Sequence, residues 1–171
     1  MRVAVTGTPG TGKTTATTLL EPDHEVIHLN EVLEEEGLYT DVDEERDSVV
    51  ADLEGLADWL EGRDDVVIES HLAHHLDADR VAVLRCQPAA LEARLRERGE
   101  PSAKAKENAE SEALDVILAE AVERHGLESV YELDTTDREP EAVARDLEAV
   151  IAGEREPSAG EVDFLAYLDD R

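Results

Sequence analysis

An α/β fold built on a mostly parallel sheet is what this sequence predicts, and three observations predict it. Apolar runs of strand length recur along the chain, stretches with helical spacing separate them, and the first run leads into GTPGTGKTT at residues 7–15. Continuous apolar runs imply strands covered on both faces, which a parallel sheet with right-handed helical crossovers supplies.

The strand candidates are RVAVT (2–6), EVIHL (25–29), DVVIE (65–69), RVAVLRC (80–86) and SVYEL (129–133). After the second of these comes an acidic segment read as helical. Leu53, Leu56, Ala57 and Leu60 mark one buried helical stripe, and Leu91 and Leu95, after a helix-starting Pro88, mark another. A third stripe runs through Leu114, Ile117, Leu118, Ala121 and Val122. EPEAVARDLEAVIAG (139–153) reads as a last helix, with Pro140 near its start and Gly153 just past its end. EREPSAG (154–160) is linker-like, and EVDFLAYLDDR (161–171) is a short acidic amphipathic tail carrying Phe164, the only phenylalanine. That tail is expected to fold back on the core, with docking on a partner as the alternative. One domain over 1–153, followed by linker and tail over 154–171, is the expected organisation, because 171 residues suffice for one sizeable core.

The charge is extreme: 44 Asp and Glu against 16 Lys and Arg, a formal net charge of −28. Such a surface repels nucleic-acid phosphates and anionic lipid, which argues against direct sequence-specific nucleic-acid binding and against a membrane-surface role. The acids are spread along the chain and the only lysines are Lys13, Lys104 and Lys106, the pattern of a protein soluble in concentrated salt. At that ionic strength screening shortens the reach of every charge, so net charge constrains partners less. The single Cys86 rules out an intrachain disulfide and a CxxC metal site. MRVAVTG lacks the apolar stretch of a signal peptide, and no run approaches the roughly 20 apolar residues of a membrane span. A cytoplasmic protein is expected.

Gly7, Gly12, Lys13 and Thr14 match G-x-x-x-x-G-K-[ST] letter for letter, between a strand and a helix. The glycines let the backbone curl around phosphates, Lys13 reaches the β/γ oxygens, and the Thr14 hydroxyl completes a Mg²⁺ shell. Such a loop needs a second carboxylate at the end of a neighbouring strand. DVVIESH supplies Glu69 there, with His71 two residues on and on the same side of the chain. SHLAHH also contains His74 and His75, and metal binding by the three histidines is the other reading of that stretch. Phosphoryl transfer further needs cations that close over the transferring group. ARLRERGEPSAKAKE (93–107) concentrates Arg94, Arg96, Arg98, Lys104 and Lys106. Arg94 and Arg96 fit a solvated helix face with i,i+4 pairs such as Glu92 with Arg96. Arg98, just before the helix-breaking Gly99, is placed to reach a phosphate or to stack on a base.

A Ras-type GTPase would need N-K-x-D after a later strand, and DTTDREP (134–140) has none. An acidic segment after the second strand and a cationic one after the fourth match the arrangement of a nucleoside monophosphate kinase, with its acceptor-binding and lid segments. GTPGTGKTT, LYTDVDEERD (38–47), VVIESH (66–71), VAVLRC (81–86), RLRERG (94–99) and ENAESEALDVILAEAVE (107–123) together resemble the adenylate kinase isoenzyme 6 family, also called the coilin-interacting nuclear ATPase family, in its archaeal form. The acidic composition suggests a halophilic member.

What the resemblance implies is a P-loop fold of the nucleoside monophosphate kinase type, with a five-stranded parallel sheet flanked by helices. It implies an adenylate kinase of broad nucleotide use that transfers the γ-phosphoryl of ATP to AMP and also hydrolyses ATP. It further implies contact with protein eleven of the small ribosomal subunit during maturation of that subunit. Gly10, Gly12, Lys13, Thr14 and Thr15 would bind ATP, Arg98 would contact it from a lid over about 97–107, and about 28–51 would receive the acceptor. Glu69 and His71 stand where the family has Asp-x-His, and the extra methylene of Glu69 makes a metal contact more indirect. Glu34 stands where many members are basic, so acceptor-phosphate binding does not carry over there. A basic residue near 138–139 is common in the family, and Arg138, one place displaced, would serve as a further nucleotide contact. An assembly ATPase whose nucleotide state controls a ribosomal protein, or a small-metabolite kinase, would use the same scaffold.

Overall fold

The computed structural model describes residues 1–44 and 48–169. The chain runs β1 (Arg2–Thr6), α1 (Lys13–Thr18), β2 (Glu25–His28), α2 (Leu29–Glu35), β3 (Tyr39–Asp43), β4 (Ser48–Ala51), α3 (Leu53–Leu60), β5 (Val66–Glu69), β6 (Arg80–Arg85), α4 (Pro88–Glu97), α5 (Ser102–Ala113), α6 (Val116–His125), β7 (Val130–Asp134), α7 (Pro140–Ala152) and α8 (Ala166–Asp169). The five strands expected from the apolar runs form one parallel sheet in the order β2-β5-β1-β6-β7.

Alternation along each strand sends side chains to two cores. Ala4, Ile27, Ile68, Val81 and Val83 pack with α2, α3 and α6 on one face. Val3, Val5, Val67, Ala82 and Leu84 pack with α1 and α7 on the other. Both faces being dry, apolar residues occupy consecutive positions, which is why these strands were readable as unbroken runs. In this order β5 and β6 flank β1, so the loop after β1 lies between the carboxyl ends of two neighbours, where α/β sheets place ligands.

Two regions differ from the sequence reading. The acidic helix after β2 ends at Glu35, and an antiparallel β3–β4 hairpin follows it. Tyr39, Val42 and Val50 are exposed there, while Ala51 at the end of β4 packs against the first core, so the hairpin leaves no doubly covered run to detect. Residues 45–47 of the LYTDVDEERD segment, and the last two residues of the tail, lie outside the described residues. The third stripe lies on α6 except for Leu114, which falls in the break before it. α5 ends before Leu114, which is 55% exposed, and α6 starts after Asp115, whose φ is +56°. An aspartate tolerates that left-handed turn, and Arg85 Nη2 holds its carboxylate at 2.6 Å.

Arg85 is the largest fully buried side chain among the described residues and was not anticipated. It meets Glu112 of α5 at 3.2 Å, Glu132 of β7 at 2.7 Å and Asp115. Burial alone would lower its pKa, but the three carboxylates outweigh that and hold the guanidinium above its ordinary value. The tail completes the cluster, folding back as expected. Glu132 Oε1 accepts from the backbone N–H groups of Gly160 and Glu161, the Phe164 ring lies 5.4 Å from the Arg85 guanidinium carbon, and the Tyr167 hydroxyl donates to Glu92.

Candidate active site

The loop between β1 and α1 is shaped by glycine. A Cβ on Gly7 would sit 2.6 Å from the Leu84 carbonyl oxygen, so any side chain there would push the loop off β6. Gly12, at φ +93°, adopts the left-handed conformation that starts α1, open to glycine at no steric cost. The first-turn N–H groups of α1 have no intrahelical acceptor and are available to an anion. Lys13 is buried and its Nζ donates to the Gly7 and Thr8 carbonyls at 2.9 and 3.2 Å, which holds the ammonium inside the curl of the loop. Burial lowers its pKa to about 8, against the pull of Glu69 and Glu112.

Glu69 ends β5 in register with Val5 on β1 and His28 on β2. The Thr14 hydroxyl donates to its Oε1 at 2.9 Å, and His28 Nδ1 lies 2.9 Å from the same oxygen. Two oxygen donors side by side, beside the phosphate loop, are the hard-ligand chemistry that Mg²⁺ takes together with phosphate oxygens and water. Thr14 and Glu69 therefore fit such an ion. Ser70 donates to Asn30 and accepts from the Leu72 N–H, fixing the turn that carries His71. Burial, and then the nearby Lys13 charge, lower the His71 pKa to about 4, so its imidazole is neutral at pH 7.

One cavity of about 680 Å³ collects Gly10, Gly12, Lys13, Thr14, Thr15, Glu69, His71 and Arg98. Of the remaining site expectations, Gly7 lies beneath it as an acceptor for Lys13, and Arg138 lines a neighbouring cavity of about 130 Å³ with Thr135 and Val143. Arg138 pairs there with Asp146 at 2.6 Å. Gly12, Thr15 and Arg94 border both cavities. Arg96 pairs with Glu92 as its spacing predicts, at 2.7 Å. Arg94 departs from that face and enters the cavity, reaching toward the Gly10 and Thr135 carbonyls. Its i,i+4 relation to Arg98 was the available signal. Asn30, Glu97 and His28 fall within the expected acceptor and lid segments but were not singled out, because their approach depends on how α2, α4 and β2 meet the loop. His74 and His75 turn away from the cavity lining and meet Glu120 instead, so the three histidines do not form one metal-binding trio.

Fold and loop together define a P-loop nucleoside triphosphate-binding protein with the layout of the nucleoside monophosphate kinases. The chain matches the AAA domain family AAA_18 over residues 3–115. A protein of Natronomonas pharaonis named "Putative adenylate kinase" is 66% identical over 98% of this chain and 100% of its own. One of Halobacterium salinarum with the same name is 57% identical over the same shares of both chains. Among solved structures, shikimate kinase from Aquifex aeolicus superposes with a TM-score of 0.53 at 16% identity, covering 90% of this chain and 97% of its own, which speaks for the fold alone. The chain belongs to the archaeal adenylate kinase family that its motifs resemble.

Proposed function

We propose that this chain is a phosphotransferase that moves the γ-phosphoryl of ATP to AMP and, more slowly, to water. The observation that carries the reading is the single cavity lined by Lys13, Thr14, Glu69, His71, Arg94 and Arg98 beside the phosphate loop. The name borne by its relatives in Natronomonas and Halobacterium supports AMP as acceptor.

In the proposed mechanism the loop N–H groups and the Lys13 ammonium hold the β- and γ-phosphates. An AMP phosphate oxygen attacks the γ-phosphorus in line, the bond to the β–γ bridging oxygen breaks, and two ADP molecules result. Arg94 and Arg98 stabilise charge on the transferring oxygens, a contribution that grows when segment 97–107 closes as a lid and excludes water. Mg²⁺ bound at Thr14 and Glu69 would neutralise the triphosphate. In the side reaction water is the nucleophile, and the neutral His71 imidazole orients it and accepts its proton. Segment 28–51 receives AMP in this reading. Arg138, Thr135 and Val143 line the space beside Gly12 and Thr15 that suits the base.

A second reading, an assembly ATPase controlling a basic protein of the small ribosomal subunit during its maturation, is supported by the charge of −28 and by the exposed Glu34. Phosphate release that changes when that ribosomal protein is added would favour it.

The test of the site is Lys13→Met in molar KCl with Mg²⁺, ATP and AMP. ADP formation should fall at least about 100-fold, as for loss of one preorganised transition-state contact. Turnover close to that of the unaltered chain would remove Lys13, and with it the loop, from the chemistry.

A further inference from the structure

Behind the phosphate cavity, a short 3₁₀ turn at Ala73–His75 faces α6. His74 Nε2 lies 3.2 Å and His75 Nε2 3.1 Å from the same carboxylate oxygen, Glu120 Oε2, and the three atoms lie within 4.8 Å of one another. We propose that His74 Nε2, His75 Nε2 and Glu120 Oε2 form a binding site for a divalent transition metal of the zinc class, separate from the nucleotide site and clamping the 3₁₀ turn to α6.

Spacing supports this. In a tetrahedral site with bonds of about 2.0–2.1 Å, neighbouring ligand atoms sit about 3.3 Å apart, close to both His–Glu separations. Two imidazoles and one carboxylate are a ligand set that suits zinc-class ions and leaves a position for water.

Outer-shell order points the same way. The Thr6 hydroxyl lies 2.7 Å from His74 Nδ1, so with Nδ1–H donating to Thr6 the Nε2 lone pair faces Glu120 and the ring orientation is fixed. His125 Nε2 lies 2.8 Å from the His74 carbonyl oxygen and pins the turn to α6. Arg124, one turn beyond Glu120, bonds Asp77 at 2.7 Å.

An entry route is present as well. His74 is buried, but His75 and Glu120 are about one-third exposed, and His75 lines an open cavity of about 660 Å³. Glu54, Asp58, Glu61 and Asp77 line that cavity against Arg2 and Arg124, so its field attracts cations. The site begins three residues after His71, and its Thr6 support precedes Gly7, so an ion here would stiffen the turn that presents His71.

The test uses untagged protein stripped with chelator, in molar KCl without nucleotide or Mg²⁺. Titration with Zn²⁺ is followed by calorimetry, and titration with Co²⁺ by the visible absorption of a tetrahedral ion. One equivalent per chain is expected. His75→Ala and Glu120→Gln, both at partly exposed positions, should each weaken binding more than about 100-fold, beyond the 10–100-fold cost of an outer-shell change. His71→Ala should leave it unaltered, and excess Mg²⁺ should not compete. Circular dichroism shows that the variants remain folded. Absence of stoichiometric binding, retention of it in either ligand variant, or its loss in His71→Ala would each overturn the proposal; unaffected binding in the isosteric Glu120→Gln chain would mean that Glu120 only accepts histidine hydrogen bonds and is no ligand.

Discussion

Lys13 links the chemistry of the loop to pH. Its pKa of about 8 in the unliganded site rises when phosphate oxygens surround it, so nucleotide binding takes up protons at and above pH 8. ATP affinity should therefore fall as pH rises from 8 to 9, by at most about tenfold per unit for a single group. Calorimetry in buffers of different ionisation enthalpy would register the uptake, and affinity independent of pH from 7 to 9 would contradict the assignment. His71 carries the opposite emphasis, being neutral through that range, and in the proposed mechanism it serves water rather than ATP. His71→Ala should lower phosphate release at least about 100-fold, in the range of a lost general base, while equilibrium binding of ATP is largely kept. Unchanged hydrolysis would make His71 a bystander.

Much of this was legible residue by residue. The loop letters are contiguous, and Glu69 and His71 follow from a strand end. Asn30 was not, because it reaches the cavity from α2, whose angle of approach local sequence does not encode, and for Arg94 the signal was its i,i+4 relation to Arg98.

At the scale of elements, legibility follows burial. Five strands covered on both faces appear as apolar runs, whereas the β3–β4 hairpin, with Tyr39, Val42 and Val50 exposed, carries no such signature. The break between α5 and α6 was hidden for another reason: a buried arginine on β6 holds the Asp115 turn across 30 residues. Arg85 binds α5, α6, β7 and the tail around one charge, and Glu112 joins that cluster to the loop by accepting from Thr8. Arg85→Met keeps the volume but leaves Glu112 and Glu132 buried without a counter-charge. The expected loss is about 3–5 kcal/mol of folding stability, measured by urea unfolding in molar KCl. A loss below about 1 kcal/mol would mean that the carboxylates find other partners and that the cluster does not organise the tail.

Taken whole, the molecule places a strongly anionic body around a small cationic mouth. Against a net charge of −28, the cavity beside the phosphate loop gathers Lys13, Arg94 and Arg98 at the carboxyl ends of β1 and β5. No helix among the described residues is long and apolar enough to cross a membrane. The fold was legible at this scale because the order of elements and one motif specify it, but the acceptor is not, since AMP, water and other phosphate acceptors would meet the same γ-phosphoryl. Tracing that group separates them. The protein would be incubated in molar KCl with Mg²⁺, AMP and ATP labelled in the γ-phosphoryl, and the products separated. Label appearing at the β-position of ADP, with little in inorganic phosphate, is the outcome expected of an AMP phosphotransferase. Label released as inorganic phosphate at a rate indifferent to AMP would contradict it and leave an ATPase.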